Sequence, residues 1–240
     1  MTDQAVDTHT AAEGDLERGR SAPAEFVGRQ RELKELRADI ERTGLDTLAA
    51  GKKPPRARVL LIAGRPGSGR TALAEELAGQ LGGRYPDGVL RAKLAEPDGT
   101  RVPTERTARE LLDALGFPTP PGAAEDELAE SLRTALSVRR VLIVLDGAAD
   151  AEQVEPLLPD SPECLVVATA EGPLTGIPDV RPCTLGGLDT KSALELLSGY
   201  TGSVRITVDP RAAESLAELC AHQPAALVLA GGWLAARPKA

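Results

Sequence analysis

Residues 59–77 read VLLIAGRPGSGRTALAEEL, and this stretch decides the fold. It opens with the short apolar run Val59 to Ala63, passes through a glycine-rich turn and continues with apolar residues at helical spacing. A short apolar run placed directly before glycines and a helical pattern is typical of a buried strand that feeds a helix. The stretch therefore predicts a strand-loop-helix unit.

The turn itself, Gly64 to Thr71, matches the phosphate-binding pattern GxxxxGK(S/T) at every fixed position except the lysine, where Arg70 stands. Glycines let the backbone fold around phosphates with its N–H groups inward, and the next helix offers its positive end. Thr71 would place its hydroxyl on Mg²⁺. Two alternatives stay open: a glycine-rich turn that binds nothing, and an arginine tolerated by drift in a chain where Arg outnumbers Lys.

Arg70 differs from lysine in shape and not in charge. A planar guanidinium is larger and more diffuse than an ammonium ion, so it cannot settle between the phosphates in the same way. We therefore expect the loop to keep its attraction for anions while its catalytic contribution changes.

A second apolar run, residues 141–146, delivers Asp146 to the carboxyl end of a predicted strand, where open α/β sheets bind ligands. Asp146 is expected to hold Mg²⁺ through water. Nucleotide-hydrolysing enzymes with such a phosphate loop often carry a second carboxylate at the next position, which here is Gly147. Asp150 could reach the region or cap the helix that begins at Ala151, and we favour the cap.

Thr169 closes the predicted strand Leu165 to Ala168. Its hydroxyl could sense a γ-phosphate by hydrogen bonding, or it could simply end a strand, since threonine is common in strands. Both interpretations stay open at this point.

Strand and helix patterns alternate along most of the chain, which indicates a mainly parallel sheet covered on both faces. A first helix starts after Phe26 and ends near Thr43 and Gly44, followed by a loop to Arg56. Residues 1–24 predict a disordered arm, 25–203 a sheet domain and 204–240 the start of a helical subdomain. Further strands are predicted at 89–94, 141–145, 165–168 and 180–185, and helices around 105–115, 125–138, 151–157, 190–200, 209–221 and 224–236.

The composition limits the function. A net charge of -8 over 240 residues argues against a nucleic-acid-binding surface. No apolar run has membrane length and no secretory signal is visible, so we expect a cytoplasmic protein. The cysteines Cys164, Cys183 and Cys220 have neither disulfide nor metal spacing, which favours buried free thiols.

Five blocks in this order and spacing resemble the NB-ARC class of STAND ATPases, especially modules of actinobacterial regulators of secondary metabolism. The resemblance runs from Phe26 to about Pro238. The blocks are FVGR at 26–29, the turn at 64–71, YPDGVL at 85–90, LDGAADAEQV at 145–154 and CAHQPAAL at 220–227.

The resemblance implies a three-layer α/β/α P-loop NTPase with a mainly parallel five-stranded sheet in the order 2-3-4-1-5 and a small C-terminal helical subdomain. The Asp146 strand would lie second from one edge. ATP or ADP with Mg²⁺ is the implied cofactor. Asp146 and Arg70 are the candidate catalytic residues, and Thr71 and Asp146 the candidate Mg²⁺ ligands. The implied nucleotide-binding residues are Val27, Gly28, Arg29, Gly64, Pro66, Gly67, Ser68, Gly69, Arg70, Thr71, Ala72 and Pro224, with residues 27–29 along adenine and ribose and Pro224 closing the base pocket.

The sequence also departs from the family pattern. The family's Thr-Ser-Arg is replaced by residues 168–170, Ala-Thr-Ala, and its Gly-Leu-Pro-Leu-Ala-Leu block survives only as HQPAAL at 222–227. Relatives continue beyond the position of Ala240 into a winged-helix region and a sensor. We therefore expect an ATP/ADP-binding regulatory switch with weak or absent hydrolysis, acting through a protein partner or such a missing region, without direct nucleic-acid or membrane binding. The alternatives are a slow true ATPase and a scaffold that no longer uses a nucleotide.

Overall fold

The computed structural model describes residues 26–49, 56–178, 180 and 182–237. The expected disordered arm, residues 1–24, lies outside the described residues. The strands are Arg58–Gly64 (β1), Val89–Lys93 (β2), Leu142–Ala148 (β3), Leu165–Ala170 (β4) and Pro182–Leu185 (β5). The helices are Gln30–Ala49 (α1), Arg70–Leu81 (α2), Thr104–Ala114 (α3), Glu125–Ser137 (α4), Ala151–Val154 (α5), Thr190–Thr201 (α6), Ser203–Val208 (α7), Pro210–Leu219 (α8) and Pro224–Ala235 (α9).

The five strands form one parallel sheet in the order β2-β3-β4-β1-β5. This confirms the predicted order, and β3, which carries Asp146, lies second from an edge as expected. The central strands are apolar almost without interruption because helices cover both of their faces. The carboxyl ends of β1, β3 and β4 consequently meet at one edge of the sheet.

Strand β1 shows how the layers are built. Leu61 packs into one hydrophobic cluster with α3 and α4, whereas Leu60 and Ile62 pack into another with α1 and α2. Successive side chains of a strand point to opposite faces, so both faces of β1 need apolar residues. The predicted three-layer α/β/α arrangement is confirmed.

The C-terminal helices share a smaller core of their own. Leu197 of α6, Ala217 of α8 and Leu227 of α9 are all fully buried in it. Helices α8 and α9 confirm the predicted ones, whereas α7 was not predicted. Its sequence, SVRITV, is rich in β-branched residues, which have low intrinsic helix propensity. The domain boundary at residue 203 stays a prediction.

The predicted end of the first helix near Thr43 and Gly44 is wrong, because α1 runs to Ala49. A single glycine costs a helix only about 1 kcal/mol relative to alanine, so Gly44 weakens the helix without ending it. The predicted helix 151–157 is divided into α5 and a 3₁₀ turn over Glu155–Leu157. Pro156 lies in that turn and has no N–H to continue an α-helix.

Two of the three thiols are buried as expected. Cys164 and Cys183 are buried and free, and Cys220 is free and half-buried. Burial raises the pKa of the Cys164 thiol, and it raises the pKa of Cys183 to about 11. Both groups are therefore protonated at neutral pH. Among the described residues, no helix combines the length and the apolar character needed to cross a membrane.

A fully buried glutamine fixes the end of the sheet that carries Asp146. The Gln153 amide nitrogen donates to the carbonyl oxygens of Leu94 (2.8 Å) and Val102 (2.9 Å). Its amide oxygen accepts from the Ala149 N–H at 3.0 Å. One side chain therefore satisfies three backbone groups from two loops that follow neighbouring strands.

Replacing this residue, Gln153→Leu, leaves the Val102 carbonyl oxygen and the Ala149 N–H without partners, whereas the Leu94 carbonyl oxygen keeps its hydrogen bond from the Val102 N–H. We expect the free energy of unfolding to fall by about 3 kcal/mol, because each unsatisfied group costs about 1–3 kcal/mol with partial relaxation. Urea denaturation followed by circular dichroism measures it. The exposed neighbour gives the control: Glu152→Gln should change stability by less than about 0.5 kcal/mol. An unchanged Gln153→Leu midpoint would contradict this role.

Candidate functional site

The turn between β1 and α2, residues 64–71, keeps the open loop shape that its glycines predict. Gly67 has a φ of 80° and Gly69 a φ of 89°, in the left-handed region that residues with a side chain rarely adopt. Gly69 also sits at the N-cap of α2 and offers no side chain to cap the helix. The backbone of this turn therefore favours glycine at positions 67 and 69.

The backbone polar groups of the turn are divided into N–H groups that mostly lack partners and carbonyl oxygens that mostly have them. Within the described residues, no hydrogen bond is donated by the N–H groups of Gly67, Gly69, Arg70 or Thr71, and the last three belong to the helix start, where no intrahelical acceptor exists. The carbonyl oxygens, by contrast, accept hydrogen bonds: Gly64 from Arg70 Nη1 (2.6 Å), Arg65 from Ser68 N (3.1 Å), Gly67 from Ala225 N (3.1 Å), Ser68 from Arg29 Nη2 (3.0 Å) and Gly69 from Leu73 N (3.0 Å).

This division suits an anion. Unpaired amides at the start of a helix and the positive end of the helix dipole together attract phosphate or carboxylate groups. Since the five carbonyl oxygens named above are already engaged by the protein, they do not compete for those amides. The turn therefore has the chemistry of a phosphate cradle.

Buried polar atoms without hydrogen-bond partners occur in this turn and on the two residues that precede α9. Ser68 is 1% exposed, and its Oγ has no hydrogen-bond partner among the described residues. The buried atoms His222 Nε2 and Gln223 Oε1 are also unpartnered. They directly precede Pro224, whose Cγ lies 3.6 Å from the position that a Cβ on Gly69 would take. Buried polar atoms without partners are rare and costly, so a polar ligand fits this junction.

Arg29 braces the outer side of the turn. It is 7% exposed and donates to the carbonyl oxygens of Ser68 (3.0 Å), Gly186 (2.7 Å) and Gly187 (3.4 Å). Its Nη1 also pairs with Glu32 Oε1 at 2.9 Å. The family resemblance assigned Arg29 to the nucleotide, and the sequence gave no sign that its guanidinium would hold three backbone segments together. Only the long-range fold reveals this brace.

Thr71, Asp146 and Thr169 converge beside the cradle. Thr71 Oγ1 lies 2.9 and 3.0 Å from the two carboxylate oxygens of Asp146. Thr169 Oγ1 donates to Asp146 Oδ1 at 2.6 Å and accepts from the Gly147 N–H at 2.8 Å. The structure thus brings the two predicted Mg²⁺ ligands together, and it gives Thr169 a contact with Asp146 itself.

Oxygen donors of this kind suit Mg²⁺, which keeps several waters and is held by one or two protein groups plus phosphate oxygens. Among the described residues, no cluster of three or more His, Cys, Asp or Glu side chains forms a separate metal site. Thr71 and Asp146 fit a cation that shares a nucleotide's phosphates.

The position after Asp146 cannot easily hold a side chain. Gly147 has a φ of 83°, and a Cβ there would lie 3.2 Å from the Ala95 Cβ. The pairing of β3 with β4 also shifts register between Leu145 and Ala148. The sequence therefore has no water-orienting carboxylate at this position, and the backbone geometry disfavours one there.

Asp150 is the cap that we favoured. Its Oδ1 accepts from the Gln153 N–H at 2.9 Å, and its Oδ2 pairs with Arg101 at 2.8 Å. Both oxygens are engaged at the start of α5, which confirms the capping interpretation.

Arg70 folds back onto its own loop. Its Nη1 donates to the Gly64 carbonyl oxygen, and its Nη2 lies 4.0 Å from Glu171 Oε1. Glu171 was not singled out from the sequence, although it follows Thr169 by two positions. The guanidinium is thus held at the rim of the loop by a carbonyl and a carboxylate.

The remaining candidate residues surround the loop. Pro66 and Ala72 are exposed at its tip and at the start of α2, and Val27 packs against the small C-terminal core. Gly28 lies against Ser192. A separate cavity of about 320 Å³ lies among α6, α7, α8 and α9 and does not include the phosphate loop.

Comparison with known proteins agrees with this geometry. Residues 55–165 match the family described as AAA domain. The chain is 33% identical over 182 residues to the regulatory protein AfsR of Streptomyces griseus, covering 75% of this chain and 18% of the relative. It is 31% identical over 217 residues to AfsR of Streptomyces coelicolor, covering 89% and 21%. The chain thus spans about a fifth of the length of the curated relatives it matches.

Two solved structures share the fold. One is a Signal Transduction ATPase with Numerous Domains (STAND) protein with a tetratricopeptide repeat sensor from Pyrococcus horikoshii, with a TM-score of 0.53, 20% identity, and coverage of 83% of this chain and 28% of that chain. The other is the Aeropyrum pernix ORC2 protein in ADPNP–ADP complexes, with a TM-score of 0.52, 15% identity and coverage of 88% and 63%.

The brace can be tested without any ligand. Arg29→Lys keeps the charge but loses the planar fork that reaches several acceptors at once, so we expect the free energy of unfolding to fall by about 2 kcal/mol. The exposed neighbour is the matched control, and Arg31→Lys should cost less than about 0.5 kcal/mol. Urea denaturation measures both, and equal stability of the two variants would rule the brace out.

Proposed function

We propose that this chain, which contains a P-loop ATPase module of the STAND class, is a regulatory switch that holds ADP or ATP with Mg²⁺ and hydrolyses ATP weakly or not at all. The proposal rests on one observation above the others. Five carbonyl groups of the phosphate loop accept from protein donors, whereas the N–H groups of Gly67, Gly69, Arg70 and Thr71 have no acceptor in the described part of the chain.

Ground-state binding needs little more than this loop. Backbone amides, the helix end and a cation at Thr71 and Asp146 would meet the phosphates of a nucleotide. The hydrogen bonds from Thr71 and Thr169 hold the Asp146 carboxylate in position beforehand. The binding half of the machinery is therefore supported by residues already in place.

The catalytic half is incomplete. Gly147 stands where a water-orienting carboxylate would be, and the buried end of β4, Ala168-Thr169-Ala170, supplies no arginine. Arg70 is engaged with the Gly64 carbonyl oxygen. Losing one electrostatic contact to a transition state often costs about 100-fold or more in rate. Slow or absent hydrolysis follows.

A route from the nucleotide to the helical subdomain is built into the fold. The Ala225 N–H at the start of α9 donates to the Gly67 carbonyl oxygen of the phosphate loop at 3.1 Å. Pro224 lies against Gly69 in the same contact. A change in the loop on binding or release of a phosphate would reach α9 directly, which supports a switch.

The relatives favour a regulatory role. Both curated relatives carry the name regulatory protein, and the Pyrococcus structure is of a signal-transduction ATPase with a repeat sensor. Because the chain matches only about a fifth of those relatives, we infer that it signals through a protein partner or through a region such as a winged helix or repeat sensor. The cytoplasm is the proposed location.

A slow true ATPase is the second candidate, favoured by the intact contacts among Thr71, Asp146 and Thr169. It differs from the switch in turnover and not in binding.

Nucleotide binding is tested with a fluorescent ADP analogue in the presence of Mg²⁺, for which we expect a micromolar dissociation constant. Gly69→Asp places a carboxylate among the unpaired amides and should weaken binding by more than about 100-fold, since like charges repel strongly at a partly buried site. Gly69→Ala reports the backbone strain alone, and Gly79→Asp adds the same charge on the exposed side of α2. Wild-type protein without measurable binding would refute the proposal.

Turnover separates the two candidates. We expect ATP hydrolysis by the wild-type chain at no more than about 0.01 s⁻¹, which is at least 100-fold below ordinary enzymes. Phosphate release measures it, with Asp146→Asn as the inactive reference and the exposed Asp113→Asn as the control. A faster rate that Asp146→Asn abolishes would establish the slow ATPase instead.

A further inference from the structure

The cavity of about 320 Å³ among α6, α7, α8 and α9 lies away from the phosphate loop. All four helices contribute to its apolar lining, which consists of Leu197, Ile206, Ala212, Ala213, Leu216 and Leu234. Small-molecule sites are cavities in this range of volume, lined mostly by apolar side chains with a few polar groups. Since an apolar cavity of roughly 150 Å³ can hold one benzene, this cavity has room for about two rings.

The three polar residues of the lining already have hydrogen-bond partners in the protein. Thr201 Oγ1 donates to a carbonyl oxygen of its own helix at 3.0 Å. Asp209 Oδ1 accepts from the Ala212 N–H at 3.0 Å and caps the positive start of α8. Arg205 Nη1 donates to the Leu234 carbonyl oxygen at 3.0 Å, at the negative end of α9. Each charge is thus balanced by a helix end, which favours a neutral ligand.

Helix α7 covers the cavity without filling it. None of its six residues is buried, and only Ile206 packs against the small C-terminal core. Val204 and Val208 are 73% and 78% exposed. A segment with so few buried apolar contacts opens at low cost in free energy. Helix α7 therefore provides an entrance to the cavity.

Helix α9 connects the cavity to the phosphate loop. In its first turn the Ala225 N–H donates to the Gly67 carbonyl oxygen at 3.1 Å. In its last turn Leu234 lines the cavity. The helix also packs closely on α6, because a Cβ on Gly231 would lie 2.9 Å from the Tyr200 Cβ. A shift of α9 at the cavity would consequently be felt at the loop.

We propose that this cavity is an effector site, which binds a neutral apolar molecule of one or two rings and is coupled through α9 to the phosphate loop. The coupling rests on the proposed nucleotide binding, whereas the binding of the apolar molecule does not. Apolar side chains that face unfilled space lack dispersion contacts, and a ligand of matching shape supplies them. A ligand that fits one position of α9 better than another favours the loop conformation that accompanies it.

The first test uses N-phenylnaphthylamine, a neutral probe that fluoresces in apolar surroundings, with the chain free of nucleotide. We expect a dissociation constant on the order of 10–100 μM for a ligand of this size. Anilinonaphthalene sulfonate differs from this probe by one anionic group and should bind at least about tenfold more weakly, because an unpaired buried charge is costly. Equal or tighter binding of the sulfonate would overturn the neutral class of ligand.

Ala213→Phe tests the location, because it fills the cavity from the buried face of α8. We expect probe binding to weaken by more than about tenfold, since the new ring takes the space of the ligand. Ser215→Phe adds the same side chain on the exposed side of α8 and should bind the probe like the wild-type chain. Wild-type affinity in Ala213→Phe would place the probe elsewhere and overturn the site.

Ile206→Asp repeats the location test on α7, where little packing is lost. A carboxylate in the lining should weaken probe binding by more than about tenfold. The matched control is Val208→Asp on the exposed side of the same helix, which should leave binding unchanged. Equal probe affinities of these two variants would also overturn the site.

Coupling is tested by measuring probe affinity with and without saturating ADP. We expect a change of at least about threefold, and the probe should change ADP affinity by the same factor, because linkage is reciprocal. Equal probe affinities in a chain that binds ADP would overturn the coupling. A chain that bound no nucleotide would refute the proposed function, and the probe measurements without nucleotide would still decide whether the cavity is a binding site.

Discussion

The site depends on which backbone N–H and carbonyl groups of residues 64–69 have hydrogen-bond partners within the protein. Each peptide group carries a donor and an acceptor, and both must be satisfied or exposed to a ligand. In this turn the acceptors are taken by Arg29, Arg70, Ala225 and the loop's own amides. The donors at the start of α2 are left over, and an anion is the natural partner. Arg29 and the start of α9 lie where their N–H groups reach these carbonyl oxygens.

Much of the architecture could be predicted because it follows from local pattern. Apolar runs and helical spacing placed the strands and most helices within a few residues, and family resemblance supplied the sheet order that the structure confirms. Thr71 was predicted from the phosphate-loop pattern, and Asp146 was predicted because it ends a strand at the edge where open α/β sheets bind ligands. The errors lie where local signals are weak: the end of α1, which runs past Gly44, and the short β-branched helix α7.

The contacts that the sequence did not reveal are long-range. Arg29 reaches carbonyl oxygens more than 150 positions away at Gly186 and Gly187, and no periodicity encodes that. Gln153 looks like any helix residue until the fold places three backbone groups within hydrogen-bond distance of its side-chain amide. The unpartnered atoms of His222 and Gln223 are visible only as a deficit in a hydrogen-bond account of the folded chain. Motifs identify the groups that meet a ligand, whereas the residues that support those groups need coordinates.

The backbone at Gly147 limits which residues this position accepts. A carboxylate cannot be placed there by one substitution at low cost, because the residue is left-handed and the Ala95 Cβ lies 3.2 Å from where a new Cβ would stand. A single Gly147→Asp substitution would reduce stability, and relief would need a second change in the loop that follows the neighbouring strand β2. Positions 95 and 147 are therefore coupled, because a side chain at one of them sets the space that is left for the other.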